Sequence, residues 1–218
     1  MDNNLTNVRE FPAETIAGML LKAKAVTLRI NPPYTWTSGI KAPIYTDNRI
    51  MMSYVKERNN IVDAFIALIK NKKIKCDGIA ATATAGISWG AWIADRMGKP
   101  LIYVRGSAKG HGKENTVEGR IEKGKTYLVV EDLISTGGSS ASTAEVVRRS
   151  GGKAKQLVAI FTYQLPSSSK NFKDDKLEAF TLTNFTELIN TAVKTGYLKE
   201  KDKAIVMKWK ENPERWGQ

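Results

Sequence analysis

Apolar residues recur along this chain at two spacings, and the alternation between them sets out the elements. From residue 11 to 25, Ile16, Met19, Leu20 and Ala23 fall on one helical face, with Pro12 near the start. The clearest helix spans 53–70, where Tyr54, Ile61, Val62, Phe65, Ile66 and Ile69 keep helical spacing. Another runs from Ile87 to Met97 and stops at Gly98-Lys99-Pro100. Short runs rich in β-branched and aromatic residues predict strands after Asp77, at Leu101–Val104, at Thr126–Val130, at Gln156–Thr162 and at Ala179–Leu182. Ser140 to Gly151 reads as a helix that begins with hydroxyls and ends with arginines and glycines. A later helix holds Leu188, Ile189 and Val193, is capped by Thr183 or Asn184, and stops near Gly196. The last, 200–211, presents Ile205, Val206 and Trp209. Prolines and Gly39 forbid a long helix between 29 and 49, leaving extended segments and turns, and 166–174 reads as a polar connection.

Strands separated by helices predict an α/β fold with a mostly parallel sheet. Ligands of such sheets sit beyond the C-terminal strand ends. Two candidate loops fall there, the small-residue turn Thr82–Gly86 and the turn from Glu131 to Ser139. The second carries Glu131 and Asp132, then Leu133-Ile134, then Ser135, Thr136, Gly137, Gly138 and Ser139, and it feeds a helix N-terminus. Unpaired backbone N–H groups, the positive end of the helix dipole and nearby hydroxyls suit a phosphate. Carboxylates beside such a cradle fit sugar hydroxyls, the water shell of a metal ion or a developing positive charge. An ordinary strand-turn-helix connection with a serine cap explains the same residues, and both readings stand at this point. The absence of a Walker lysine and of G-x-G-x-x-G disfavours a nucleoside triphosphatase or a Rossmann dinucleotide site.

Composition narrows the class. At 218 residues, 42% hydrophobic and 26% charged, the chain suits one α/β domain with a decoration. No apolar run approaches the roughly 20 residues of a membrane span, and the first residues lack the form of a secretory signal. The single cysteine, Cys76, allows no internal disulfide. A net charge of +12 fits either nucleic acid or an intensely anionic small substrate, but the lysines are scattered and no helix has an unbroken basic face. Between 105 and 119 lies a glycine-rich segment with Lys109 and the only histidine, His111, either a functional lid or a solvated loop. The aromatic-rich stretch 29–49 reads as structural or as the lining of a pocket for a flat ring.

Val129 to Ser139 resembles the phosphoribosyl-diphosphate signature of type I phosphoribosyltransferases: a hydrophobic strand, an acid pair and a Thr/Ser/Gly loop. Arg105, Lys109, His111 and Gly112 resemble the R-x-x-x-K-x-H-G loop of orotate phosphoribosyltransferases. Thr37–Lys41, Pro43–Arg49, Thr82–Ile87 and Ala159–Tyr163 are similar to the bacterial type found in Gram-positive organisms. Ala85 and Tyr163 follow that type where enteric enzymes carry a lysine and an arginine; Gly106 and Gly110 depart from the enteric loop, and Gly110 from the Gram-positive one as well.

The resemblance implies a type I phosphoribosyltransferase fold in a single domain over 1–218. It would comprise an N-terminal helix and hood over about 1–48, a core over about 49–165 with a mobile loop 106–119, and a C-terminal strand and helices over about 166–218. It implies transfer of 5-phosphoribosyl from phosphoribosyl diphosphate to orotate with Mg²⁺ held through substrate and water, in a cytoplasmic homodimer with shared active sites and with no nucleic-acid or membrane partner. Arg105, Lys109 and His111 would contact diphosphate, and Glu131 and Asp132 the ribose hydroxyls and the Mg²⁺ water shell. The stretch Ser135 to Ser139 would cradle the 5′-phosphate, with Leu133 and Ile134 leading into it. Ser135 would also meet orotate, whose carboxylate has Arg49 and Lys41 as candidate partners. The alternatives are a transferase for a purine or uracil, and a non-catalytic sensor of the same fold that binds RNA or DNA.

Overall fold

The computed structural model describes residues 10–105 and 117–216, so Lys109 and His111 lie outside the described residues. In chain order the strands are β1 (Val26–Leu28), β2 (Tyr34–Thr35), β3 (Lys41–Ala42), β4 (Ile44–Thr46), β5 (Gly78–Thr82), β6 (Leu101–Val104), β7 (Val117–Glu118), β8 (Tyr127–Ile134), β9 (Gln156–Thr162) and β10 (Glu178–Asn184). The helices are α1 (Ala13–Lys22), α2 (Val55–Asn71), α3 (Gly86–Met97), α4 (Gly138–Arg149), α5 (Pro166–Asp174), α6 (Phe185–Lys194) and α7 (Glu200–Trp209).

A six-stranded sheet has the order β10-β9-β8-β5-β6-β7, and every pairing in it is parallel except β6 with β7. Alternation along the strands sends side chains into two cores. Leu128, Val130, Val158 and Ile160 join the larger, with Phe65 of α2, Trp89 of α3 and Phe185 of α6. Val129, Leu157 and Ala159 join the smaller, with Ala144 and Val147 of α4 and Phe172 of α5. Strand order runs outward from β5 to β6, then returns across to β8 and continues to β9 and β10. The reversal between β5 and β8 opens a crevice at their C-terminal ends.

The sequence pattern fails in three places. β8 continues through Ile134, because Leu133 and Ile134 keep the ladder with Phe161 and Thr162 of β9. Glu131 and Asp132 therefore lie in the strand, not in the turn, and α4 begins at Gly138 instead of Ser140. The 106–119 loop ends in β7, which pairs with Tyr103 and Val104. Residues 166–174 form α5, started by Pro166, whose fixed φ suits a first helical turn. Of its side chains only Ser168 and Phe172 are buried, too few to mark a helical face.

The N-terminal hood is made of two small antiparallel pairs. β1 pairs with β4, matching Val26 with Thr46 and Leu28 with Ile44, and β2 pairs with β3. A 3-10 turn, Asn48–Ser53, then leads into α2. Asn48 is 0% exposed and its Nδ2 donates to the Asp132 carbonyl at 2.8 Å, tying the end of the hood to the central strand. Asn48→Leu leaves that buried carbonyl without its donor. The expected loss is about 1–3 kcal/mol, read as a lower urea midpoint at unchanged slope.

Candidate active site

The rim where β8 and β5 end is shaped by helix N-termini that their own side chains leave uncapped. Gly137 precedes α4 at φ +81 with no side-chain cap, and Ala85 precedes α3, also without one. Ser and Thr abound in this turn, yet none closes the α4 terminus, so its first N–H groups remain available to an anion. Glycine at 137 answers two demands. Its φ lies in the left-handed region, and a Cβ there would stand 2.7 Å from the Phe172 ring. The unforeseen α5 thus braces this turn, with Phe172 against Gly137 and Asn171 Nδ2 donating to the Thr136 carbonyl at 2.9 Å. Gly86 has a packing role: a Cβ would meet the Val130 carbonyl at 2.7 Å, so small size lets α3 approach β8.

Glu131 and Asp132, 5% and 9% exposed, sit at this end of β8. Glu131 Oε2 accepts from Ser139 Oγ at 3.0 Å and from Ser140 Oγ at 3.2 Å, while Oε1 accepts from the Asp132 N–H at 3.2 Å. The Ser139 hydroxyl, read from sequence as a phosphate donor, is thus engaged by the acid. Burial first, and the Asp132 charge second, push the Glu131 carboxyl up to about 8. Asp132 is also raised, mainly by burial, against opposing hydrogen bonds from Glu131 and from the Asp132 and Leu133 amides and a weaker pull from Arg49. Among the described residues no group of three or more His, Cys, Asp or Glu comes together as a metal cage. Two adjacent carboxylates instead match the way Mg²⁺ is held, through waters and substrate phosphates.

Beside the acids opens a cavity of about 340 Å³, lined by Thr35, Trp36, Thr37, Ser38, Tyr45, Thr46, Leu133, Ser135 and Tyr163. Flat rings alternate with hydroxyls, and none of these nine residues carries a charged side chain. Such a lining suits a flat heterocycle with several polar edges. Burial holds the Tyr163 phenol well above its ordinary value, so it stays neutral, and its ring packs on Trp36 at 5.0 Å.

The structure brings Glu131, Asp132, Leu133, Ser135, Thr136, Gly137, Gly138 and Ser139 to one rim, with Ile134 buried beneath it and its carbonyl accepting from the Tyr163 N–H at 3.0 Å. Arg105 follows β6 on the same side of the sheet and pairs with Glu118 at 3.2 Å. Lys41 Nζ donates to Thr35 Oγ1 at 2.7 Å, and Arg49 forms a fork with Asp47 at 2.6 and 2.9 Å. Neither cation lines the cavity. Sequence reasoning missed Asn48, and it named the 29–49 aromatics only as one of two readings. Their signal was the density of rings beside Thr and Ser in a segment that forms no helix.

Comparison with known proteins points the same way. The phosphoribosyl transferase domain model matches residues 55–198. The orotate phosphoribosyltransferase of Enterococcus faecalis is 48% identical over 205 residues, covering 94% of this chain and 98% of that relative. That of Coxiella burnetii is 48% identical over 204 residues, with the same shares covered. The crystal structure of orotate phosphoribosyltransferase from Aeropyrum pernix superimposes with a TM-score of 0.73 at 26% identity, covering 84% of this chain and 99% of that one.

The raised Glu131 carboxyl has a measurable consequence. A carboxyl with a folded-state value near 8 binds a proton that the unfolded chain has released above its ordinary 4.5. Its contribution to stability is full below that ordinary value and is lost as the pH rises through about 8. Melting curves of the ligand-free protein should show Tm falling across this window, and Glu131→Gln should flatten the fall. An equal slope in both proteins would contradict the assignment.

Proposed function

The chain belongs to the phosphoribosyltransferase family and, within it, to the orotate phosphoribosyltransferases, and from that premise we propose that it transfers 5-phosphoribosyl from phosphoribosyl diphosphate to orotate. In this reaction the bond from ribose C1 to the diphosphate oxygen breaks, and the electron pair leaves with diphosphate. C1 then bonds to a ring nitrogen of orotate, which gives up its proton, and orotidine 5′-phosphate is formed for pyrimidine nucleotide synthesis. The observation that carries the reading is the adjacency of an uncapped α4 N-terminus, a buried acid pair and an aromatic, hydroxyl-lined cavity.

In this reading the N–H groups of the first α4 turn, with Ser135 and Thr136, hold the 5′-phosphate. Glu131 and Asp132 hold the ribose hydroxyls, and carboxylate charge beside C1 favours its oxocarbenium character. Their pairing also fits the water shell of Mg²⁺, which when bound would neutralise charge on the diphosphate oxygens. The cavity takes the pyrimidine, with Ser135 facing both base and phosphate ends and the rings of Trp36, Tyr45 and Tyr163 excluding water. Arg105, Lys109 and His111 meet the leaving diphosphate, and the loop that bears them serves the partner subunit's site in a cytoplasmic homodimer. Among the described residues no helix is long and apolar enough to cross a membrane.

Orotate-dependent absorbance loss in the presence of phosphoribosyl diphosphate should require a divalent cation and stop on chelation. Hypoxanthine and uracil should be inert, and turnover of either would favour the rival transferase. Lys109→Ala should lower kcat by about 10²–10³-fold with the melting curve unchanged. Mixing Lys109→Ala with Asp132→Asn subunits should restore part of the activity if sites are shared between subunits; no recovery in a verified mixed dimer would refute sharing. Salt-sensitive nucleic-acid binding without turnover would favour the sensor reading instead.

A further inference from the structure

The base cavity is walled on one side by rings that rest on a residue from the far end of the chain. Trp209, the last residue of α7, is 0% exposed and does not line the cavity. Its ring meets Trp36 edge-on at 5.3 Å and Tyr163 edge-on at 5.5 Å, the two rings that do line it. Behind it, Phe185 of α6 packs at 5.3 Å. Its indole Nε1 donates to the Lys41 carbonyl at 3.2 Å. Lys41 belongs to β3 and pairs with Thr35 of β2, another lining residue. Trp36 is held in turn by its own Nε1 donating to the Ile44 carbonyl at 3.1 Å and by its N–H donating to the Ile40 carbonyl at 2.9 Å. One side chain thus fixes two ring orientations and the backbone of the hairpin between them.

We propose that Trp209 is a positioning residue for the base pocket, setting the spacing of Trp36, Tyr163 and the β2–β3 hairpin without touching substrate. Trp209 at the end of α7 then belongs to the specificity machinery of the enzyme. This rests on reading the cavity as the orotate subsite. The physical case is that each half of the wall has only its local ties, Trp36 to Ile44 and Ile40 and Tyr163 to Ile134, and Trp209 joins the two halves. The β2–β3 pair has only two residues on each strand, and Tyr163 follows the end of β9. Edge-to-face ring contacts lock orientation, and a hydrogen bond to a main-chain carbonyl locks distance. The phosphate cradle and the acid pair take their supports elsewhere, from α5 and from Asn48. Disturbing Trp209 should therefore act on one substrate and spare the other.

Steady-state kinetics on the full-length enzyme tests this. Trp209→Phe keeps a ring and removes the donor to Lys41, and it should raise KM for orotate by about three- to tenfold while KM for phosphoribosyl diphosphate stays within about twofold. Phe185→Leu, which removes the support behind Trp209, should move KM for orotate in the same direction, and it decides the matter if the first variant does not fold. Val206→Ala, fully buried on the same helix, is the stability control and should lower Tm with both KM values unchanged. An orotate KM within twofold of wild type in the Trp209 and Phe185 variants overturns the proposal, as does a parallel rise in both KM values. Wild-type enzyme that does not turn over orotate sinks the reading of the cavity and this inference with it; active wild type with unaltered variants sinks the inference alone.

Discussion

Two carboxyl groups side by side at the end of a buried strand repel each other and lose hydration, and much of this fold is what makes their placement tolerable. Ser139 and Ser140 satisfy one oxygen of Glu131 and the Asp132 amide satisfies the other. Asn48 holds the backbone of Asp132 from the opposite side. Even so, burial shifts both groups upward, toward their neutral form.

Around that pair the molecule divides its labour by chain position. The matched domain, 55–198, contains β5, β8 and β9, the uncapped α4 and the α5 brace, which together form the rim with the acid pair. The pocket side is largely supplied from outside it. Thr35, Trp36, Thr37, Ser38, Tyr45 and Thr46 come before residue 55 and Trp209 comes after residue 198. A common scaffold can present the same donor to different acceptors if only the flanks change, and here the flanks meet each other across Trp36 and Trp209. The matched domain thus holds the acid pair and the uncapped helix, while most of the cavity lining comes from residues before it, so any difference in what such a scaffold accepts has to be argued from the site and not from the fold.

Much of this was legible in the sequence because periodicity and turn chemistry agreed. Gln156–Thr162 and Leu101–Val104 have the same bounds as strand runs and as β9 and β6, and Asn184 caps α6 by accepting from the Glu187 N–H. The acid-hydroxyl-glycine string of 131–139 pointed to the rim. What stayed hidden depends on partners distant in sequence. Leu133 and Ile134 remain in β8 because β9 extends beside them. α5 exists for Phe172 and its contact with Gly137, a single apolar anchor that no periodicity count detects. Asn48 reads as a turn residue until Asp132, 84 positions later, accepts its hydrogen bond. Trp209 reads as ordinary core until its ring is seen against Trp36 and its N–H against Lys41. Ile205, counted on the same apolar face, is 47% exposed, since only part of α7 docks.

The missing cap on α4 brings these threads together. A helix start rich in serine would ordinarily recruit one of its hydroxyls to close its first turn, a contact that stabilises by about 1 kcal/mol. Here Gly137 occupies the cap position in the left-handed region, Phe172 prevents any larger residue from replacing it, and Ser139 and Ser140 are turned toward Glu131. Each choice forgoes local stability and keeps N–H groups directed at the rim. On the proposed reading an anion brought by the substrate would complete the helix and stabilise the folded chain by mass action. Helix capping, acid burial and the brace from α5 are one arrangement, in which the chain leaves its helix start uncapped and turns its serines to the acid instead.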